Sequence, residues 1–329
     1  MDEHDLEQAN KTLDSIRRSI IEMKSLEHER IVIEPVLEGG PSKKKASLRE
    51  RWASRPYWLV PLLLYAATWA STTYVGFLCY GGGSVFSGLL FSAPLMTILT
   101  CHELGHYLQN LRYGIDATLP YFIPVPLPPL GTFGAIIQMK SAVPSVRALF
   151  DVGISGPLAG LVVTLVFLVI GVANSTVAPI PEEGFPEGAL IFGEPLIFQW
   201  VANLVHGYDP STHTLLMHPV AVAAWVGILL TTLNLFPIGQ LDGGHIFYAL
   251  TRKYAAPCSY VLFGAAVVCV FVFGLWNWAL LLALLYFIGL RHPPTMRDDQ
   301  PLGWQRTVLG WLTLAFIIVG FTARPLTVS

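Results

Sequence analysis

The chain has 329 residues, of which 53% are hydrophobic and only 13% are charged. Soluble proteins carry about 25% charged residues, so this composition excludes an ordinary soluble domain and indicates an integral membrane protein. The net charge is −2 and no basic DNA-binding module is recognisable, so we expect no nucleic-acid partner.

Residues 1–56 are the charged part of the chain and hold eleven of its twenty Lys and Arg residues. Apolar residues recur there at three- and four-residue spacing, which predicts an amphipathic cytosolic helix within residues 1–35. The Gly-, Pro- and Ser-containing stretch 38–47 is typical of a linker. The first residues show neither a secretory signal nor an Arg-rich transit peptide, which favours a bacterial cytoplasmic membrane over an organelle.

The rest of the chain contains apolar runs long enough to cross a hydrocarbon core about 30 Å thick. These runs predict seven membrane helices, at 57–78, 84–110, 148–172, 217–236, 257–274, 276–290 and 303–322. A tight turn near Trp276 and Asn277 is expected to separate the fifth helix from the sixth. The predicted fold class is therefore an all-α polytopic membrane protein.

The distribution of basic residues predicts the orientation, because loops rich in Lys and Arg stay on the cytoplasmic side. With the N-terminus inside, nineteen of the twenty Lys and Arg residues fall inside and only Arg324 falls outside. The long loop 173–216 then lies outside, and it carries acidic residues instead. We therefore expect a cytoplasmic N-terminus.

The loop 114–147 is rich in Pro and Gly yet strongly apolar. Within it, residues 132–139 (TFGAIIQM) have the composition of a short strand. An apolar segment that is not helical must find backbone partners inside the protein if it lies at membrane depth. This pattern predicts a small membrane-associated β hairpin between the second and third helices. An ordinary proline-rich cytosolic loop is the alternative.

The second predicted helix contains the sequence HELGH, with histidines at His102 and His106 and a carboxylate at Glu103. Residues four apart share one face of a helix, so both imidazoles can reach one zinc ion. A carboxylate beside them can take a proton from a water whose pKa the metal lowers. Ionisable residues within an apolar helix indicate a functional site. A buried polar cluster without metal is the alternative.

A catalytic zinc site needs a third protein ligand and an open position. Asp242 is the best candidate, because Pro237 and Gly239 are expected to break the fourth membrane helix just before it. The two glycines that follow Asp242 allow another backbone to approach closely. His245 is the rival ligand, although a role beside the site or at the start of a helix fits it better.

These motifs together resemble those of the site-2 protease family of intramembrane zinc metalloproteases. HELGH matches the HExxH motif of the family, and NLFPIGQLDGG at 234–244 matches its N-x-x-P-x-x-x-L-D-G motif. SGPLAG at 155–160 is similar to a small-residue motif of the intervening helix. The resemblance covers roughly residues 57–250.

Two further features resemble one branch of the family. The stretch TFGA at 132–135 is similar to bacterial members and to their chloroplast relatives of the gravitropism-deficient type. The loop 173–216 is too short for the PDZ domain that other branches insert. The resemblance then divides the chain into a cytosolic helix and linker (1–56), a catalytic membrane core (57–250) and C-terminal membrane helices (251–329).

The resemblance implies one Zn²⁺ per chain, held by His102, His106 and Asp242, with Glu103 activating water. It implies that Asn234 hydrogen-bonds the substrate carbonyl or its oxyanion. The implied reaction is cleavage of a substrate's transmembrane segment near the cytoplasmic side. The implied partners are a transmembrane protein substrate and the lipid bilayer, and the strand in 132–139 would pair with the unfolded substrate.

The alternative function is a membrane metal-binding protein or transporter without proteolytic activity. A transporter tends to repeat polar sites over several helices, whereas the fifth to seventh predicted helices have almost no ionisable residue in their interiors. The oligomeric state is left open by the sequence.

Overall fold

A computed structural model describes residues 58–80, 82–209 and 211–329. These residues belong to one compact unit, Tyr57–Ser329. The amphipathic helix and linker predicted within residues 1–56 lie outside the described residues.

The described part of the chain is mostly helical, with three small antiparallel sheets of two strands each. The helices are α1 (Leu59–Cys79), α2 (Val85–Tyr113), α3 (Val146–Ala173), α4 (Leu196–His206), α5 (Pro219–Leu235), α6 (Asp242–Thr251), α7 (Ala255–Phe273), α8 (Ala279–Ile288) and α9 (Trp304–Gly320). The strands are β1 (Tyr121–Pro124), β2 (Thr132–Ile136), β3 (Thr176–Pro179), β4 (Leu190–Phe192), β5 (His213–Leu216) and β6 (Leu326–Val328). Short 3₁₀-helices, Arg252–Tyr254 and Trp276–Trp278, lie before α7 and α8.

Each of the seven predicted membrane segments corresponds to a helix, and the 3₁₀-helix Trp276–Trp278 lies at the predicted tight turn. In the described part, four helices are long and apolar enough to cross a membrane: α1, α2, α3 and the nearly continuous Asp242–Phe273. Helices α5, α8 and α9 fall below that length. The count of seven spans therefore stays a prediction.

The core forms where α2, α3 and α5 pack against one another. Helix α5 buries thirteen of its seventeen residues, so it has no polar face. A helix that is apolar all round belongs in the interior. Small residues allow the close packing: a Cβ on Gly171 of α3 would collide with the backbone of Ala221 in α5. This arrangement holds the ends of α2, α3 and α5 in a fixed relation, which the candidate site requires.

Strands β1 and β2 form a hairpin between α2 and α3, with Tyr121 opposite Ile136. The strand is shorter than the predicted 132–139, although an isolated bridge joins Ala117 to Met139. The hairpin loop is anchored to α1, since the Ser71 hydroxyl donates to the Gly131 carbonyl oxygen at 2.5 Å. The association of this hairpin with a membrane stays a prediction.

The other two sheets were not predicted from the sequence. Strand β3 pairs with β5 inside the loop after α3, and β4 pairs with β6 at the C-terminal end of the chain. The predicted all-α fold with one small hairpin is therefore corrected to a mostly helical fold that contains two further two-stranded sheets. Strands of three or four residues are too short to show an alternating pattern, and the partner of β4 lies far away in sequence.

Candidate metal centre

Helix α2 carries the two histidines of HELGH one turn apart, with the glutamate directly after the first. His102 is 6% exposed, Glu103 7% and His106 9%, so all three side chains lie inside the protein. The glycine of the motif, Gly105, has no side chain and so allows α3 to come close. An added Cβ there would collide with the carbonyl oxygen of Ser155. The backbones of α2 and α3 therefore touch at the level of the candidate ligands.

The break between α5 and α6 positions Asp242 near the two histidines. Helix α5 ends at Leu235 and α6 begins at Asp242, which confirms the break expected from Pro237 and Gly239. Gly239 has a φ of +56°, a conformation that favours glycine. The carboxylate lies in the first turn of α6, where the helix dipole stabilises a negative charge. A Cβ on Gly243 would collide with the Leu235 carbonyl oxygen, so the close approach expected after Asp242 is also confirmed.

The three predicted ligands converge. Nε2 of His102 lies 3.2 Å from Oδ2 of Asp242, and Nε2 of His106 lies 3.2 Å from Oδ1 of the same carboxylate. The two imidazole Nε2 atoms are 3.2 Å apart. One ligand atom from each residue lies within 4.8 Å of the others, and in the described part of the chain only this group of three meets that condition.

Helix α3 orients His106. Its Nδ1 lies 2.8 Å from the carbonyl oxygen of Val152, which can only accept, so Nδ1 donates, and in the neutral ring Nε2 is the nitrogen that can bind a metal. A histidine that donates one ring N–H to a carbonyl while the other nitrogen faces a metal is the usual arrangement of a metal ligand. Two imidazole nitrogens and one carboxylate fit a catalytic zinc site with an open position.

The SGPLAG motif makes room for both histidines. A Cβ on Gly156 would collide with the ring of His106, and a Cβ on Gly160 would lie 3.1 Å from the Cβ of His102. The sequence indicated small residues here only through the family resemblance. The structure supplies the physical reason, because larger side chains would occupy the space of the ligands.

Asn234 and His245 occupy different positions around this group. The Nδ2 atom of Asn234 lies 3.3 Å from Nε2 of His102, so the amide is beside the ligand atoms. His245 lies outside the group of three, and its Nδ1 is 2.7 Å from Nε2 of His292. Sequence reasoning missed His292, because a single histidine in a loop carries no distinguishing signal. It also missed the Val152 carbonyl group that accepts from His106, since a backbone hydrogen-bond partner leaves no trace in residue type.

Comparison with known proteins decides the family. The sequence profile described as "Peptidase family M50" matches residues 90–275, more than half of the chain. The chain belongs to peptidase family M50. This is the site-2 protease family that the two motifs indicated.

Similar proteins of this family occur in plants. The chain is 30% identical over 249 residues to "Probable zinc metalloprotease EGY1, chloroplastic" of Arabidopsis thaliana, covering 73% of this chain and 43% of that protein. It is 34% identical over 160 residues to "Probable zinc metalloprotease EGY2, chloroplastic" of Arabidopsis thaliana, covering 48% and 28%. It is 26% identical over 246 residues to "Probable zinc metalloprotease EGY3, chloroplastic" of Oryza sativa subsp. indica, covering 68% and 40%.

The matched part of this M50 chain spans less than half the length of each of these relatives. Their names put them in the chloroplast. The comparisons therefore lend no support to the bacterial membrane that the N-terminal sequence favours, and that location stays a prediction.

Proposed function

We propose that this M50 chain is an intramembrane zinc metalloprotease that hydrolyses a peptide bond in the transmembrane segment of a membrane-protein substrate. The observation that carries the proposal is the convergence of His102, His106 and Asp242 beside Glu103, inside helices apolar enough to span a bilayer. Ionisable groups gathered at such a depth mark a reaction site.

His102, His106 and Asp242 hold one zinc ion per chain. Zinc in such a site polarises the substrate carbonyl group and lowers the pKa of a water molecule to about 7. Glu103 is the general base: it takes a proton from the attacking water and passes it to the amide nitrogen that leaves. Glu103 is 7% exposed and interacts electrostatically with His102, His106 and Asp242, so its carboxylate lies close enough to the ligands for this role.

Asn234 stabilises the oxyanion. Its side-chain amide lies next to the metal ligands, where an N–H can donate to the carbonyl oxygen as negative charge develops. A donor of this kind contributes about 10²–10³ in rate. Because the side chain holds neither the metal nor the proton, its loss is expected to slow the reaction and leave zinc in place.

The open edge of the segment 132–139, which contains β2 and the residues just after it, binds the substrate in extended form. The Gln138 carbonyl oxygen accepts from the Thr118 N–H, and the Lys140 N–H donates to the Asp116 carbonyl oxygen, so the backbone groups of residues 138 and 140 point toward the 116–121 side. Backbone groups alternate in direction along a strand. The N–H and C=O of Ile137 therefore point to the open edge, where an unwound substrate can pair with them.

The bilayer is the second partner, and the orientation follows from the charge pattern. We propose seven membrane spans, a cytoplasmic N-terminus and cleavage near the cytoplasmic side. The correspondence of each predicted segment to a helix supports this arrangement. The three shorter helices are compatible with spanning where the bilayer is thinned or where they are surrounded by other helices.

The test combines zinc analysis with cleavage. Full-length protein in lipid nanodiscs is incubated with single-span reporter proteins whose membrane segment contains a central Gly-Pro pair. The wild type is expected to hold about one zinc per chain and to cut the reporter. Glu103→Gln is expected to keep zinc and lose cleavage, whereas Asp242→Asn is expected to lose both.

Loss of zinc in a folded Glu103→Gln protein would contradict the assigned role of Glu103. Zinc bound by the wild type, no cleavage of any reporter, and zinc uptake when the same protein is reconstituted in sealed vesicles would favour the metal-transporter alternative. Proteomics of membrane and cytosol fractions, comparing wild type with Glu103→Gln cells, would then identify natural substrates.

A further inference from the structure

His245, His292 and the carbonyl group of Pro293 form a series of hydrogen bonds beside the metal centre. Nδ1 of His292 lies 2.5 Å from the carbonyl oxygen of Pro293, and Nε2 of His292 lies 2.7 Å from Nδ1 of His245. His245 is three residues after Asp242 on α6, so the two side chains share one face of this helix. His292 lies beyond the part of the chain that matches the family.

The donors and acceptors in this series of hydrogen bonds determine which nitrogen carries each proton. A carbonyl oxygen only accepts, so Nδ1 of His292 carries a hydrogen. Burial lowers the pKa of His292, which keeps its ring neutral and leaves an electron pair on Nε2. Nδ1 of His245 must then donate to it. His245 is thereby held as one tautomer in one ring orientation.

The segment that carries His292 is itself fixed on α6. The ring of Tyr248 stacks on that of His292 with centroids 4.4 Å apart, and the Tyr248 hydroxyl donates to Oδ2 of Asp298 at 2.7 Å. The Thr295 hydroxyl donates to the other oxygen of Asp298. His292 is therefore a rigid partner for His245, held by contacts that do not involve the metal ligands.

On its other side, α6 is pressed against α3. A Cβ on Gly153 would lie 2.9 Å from the Cβ of His245 and 3.4 Å from the carbonyl oxygen of Asp242. His245 thus sits between α3 and the segment 291–298, one turn from the ligand Asp242. The backbones of α3 and α6 are therefore in close contact at His245 and Asp242, so that a shift of α6 at His245 also moves Asp242.

We propose that His292 is a positioning residue for the metal centre. Through its hydrogen bond to His245 it fixes α6, and with it Asp242, at the distance from His102 and His106 that a metal ion requires. The inference rests on the proposed zinc site and adds a contribution from a part of the chain outside the family match.

The experiment measures the zinc affinity of the full-length protein in nanodiscs by competition with a chromophoric chelator. His292→Leu removes the acceptor and is expected to weaken zinc binding by up to about 10-fold, the lower end of the range for residues that bond a metal ligand directly, because His292 acts through His245. His292→Gln places an amide oxygen near the position of Nε2 and is expected to restore most of the affinity. Met296→Ala, at a side chain 70% exposed in the same segment, is the matched control and is expected to leave affinity unchanged.

A second readout is the absorption spectrum of the protein loaded with Co²⁺, which is expected to change in His292→Leu and to match the wild type in His292→Gln. The reciprocal variant His245→Asn, whose amide N–H stands near the position of Nδ1, is expected to keep affinity and serves if His292→Leu does not fold. Unchanged zinc affinity in His292→Leu, failure of His292→Gln to rescue, or loss of affinity in His245→Asn would each overturn the inference. If the wild type itself binds no zinc, the proposed function fails as well.

Discussion

Gly156 lies where α3 crosses the metal-binding helix, and an alanine there is expected to displace zinc. The three atoms nearest to an added Cβ all belong to the His106 ring, and all are closer than 3.0 Å, whereas ordinary contact begins at 3.4 Å. Cδ2 and Cε1 would lie 2.5 Å from the added Cβ and Nε2 closer still, so the ring would have to move by at least the difference from ordinary contact, about 0.9 Å. Zinc–nitrogen distances tolerate only about 0.2 Å. We therefore expect Gly156→Ala to weaken zinc binding by more than about 100-fold, beyond the loss of a hydrogen-bond partner of a ligand.

Two further glycines provide a graded comparison. A Cβ on Gly160 would lie 3.1 Å from the Cβ of His102, so this contact can be relieved by a few tenths of an ångström. Gly160→Ala is expected to weaken zinc binding less than Gly156→Ala. Gly264 in α7 has no atom within 4 Å of an added Cβ. Gly264→Ala should leave zinc binding unchanged and stabilise the helix by about 0.5–1 kcal/mol.

The assay is chelator competition for zinc, with thermal unfolding measured on the same samples. Overpacking destabilises a protein by roughly 1–3 kcal/mol, so part of the effect of Gly156→Ala will appear as a lower midpoint of unfolding. The decisive quantity is zinc affinity at a temperature where all variants are folded. Wild-type affinity in Gly156→Ala would refute the geometry of α3 against His106.

Three other predictions follow from the same site. Asn234→Ala is expected to lower the cleavage rate about 10²–10³-fold with zinc content unchanged, and an unchanged rate at saturating substrate would demote Asn234 to a packing residue. Ile137→Pro is expected to fold, keep zinc and cleave poorly because the outward N–H is lost, while Ile137→Ala keeps full activity. Full activity in Ile137→Pro would reduce the hairpin to a connection. Reporter fusions at Asp14 and Glu187 are expected to report opposite sides of the membrane, and the same side for both would contradict the charge argument.

The ligand set was predictable because its spacing has a physical meaning. His102 and His106 are four residues apart on a helix, and Pro237 ends one helix so that Asp242 can begin another. The structure brings these predicted ligands within reach of one another. Apolar length likewise predicted where helices occur, since a membrane-length run has few other structures available to it.

The rest depends on contacts between distant parts of the chain. Nothing in the residue types of β4 and β6 pairs them, because main-chain hydrogen bonds make little demand on side-chain identity. His292 reaches His245 only through the path of the chain between α8 and α9. The small-residue motif was recognised as a pattern, but the reason for Gly156 became visible only with the His106 ring beside it.

Helix α9 is fixed at both ends, and this limits how the protein can open. Near its start, Arg306 forms a bidentate ion pair with Asp151 of α3, at 2.7 and 2.9 Å. Beyond its other end, β6 pairs with β4, and the Trp278 indole N–H donates to the Ala323 carbonyl oxygen at 2.8 Å. Helix α7, in contrast, buries only three of its nineteen residues. A movement that admits a substrate from the lipid is therefore expected to leave α9 in place and to displace α7 instead.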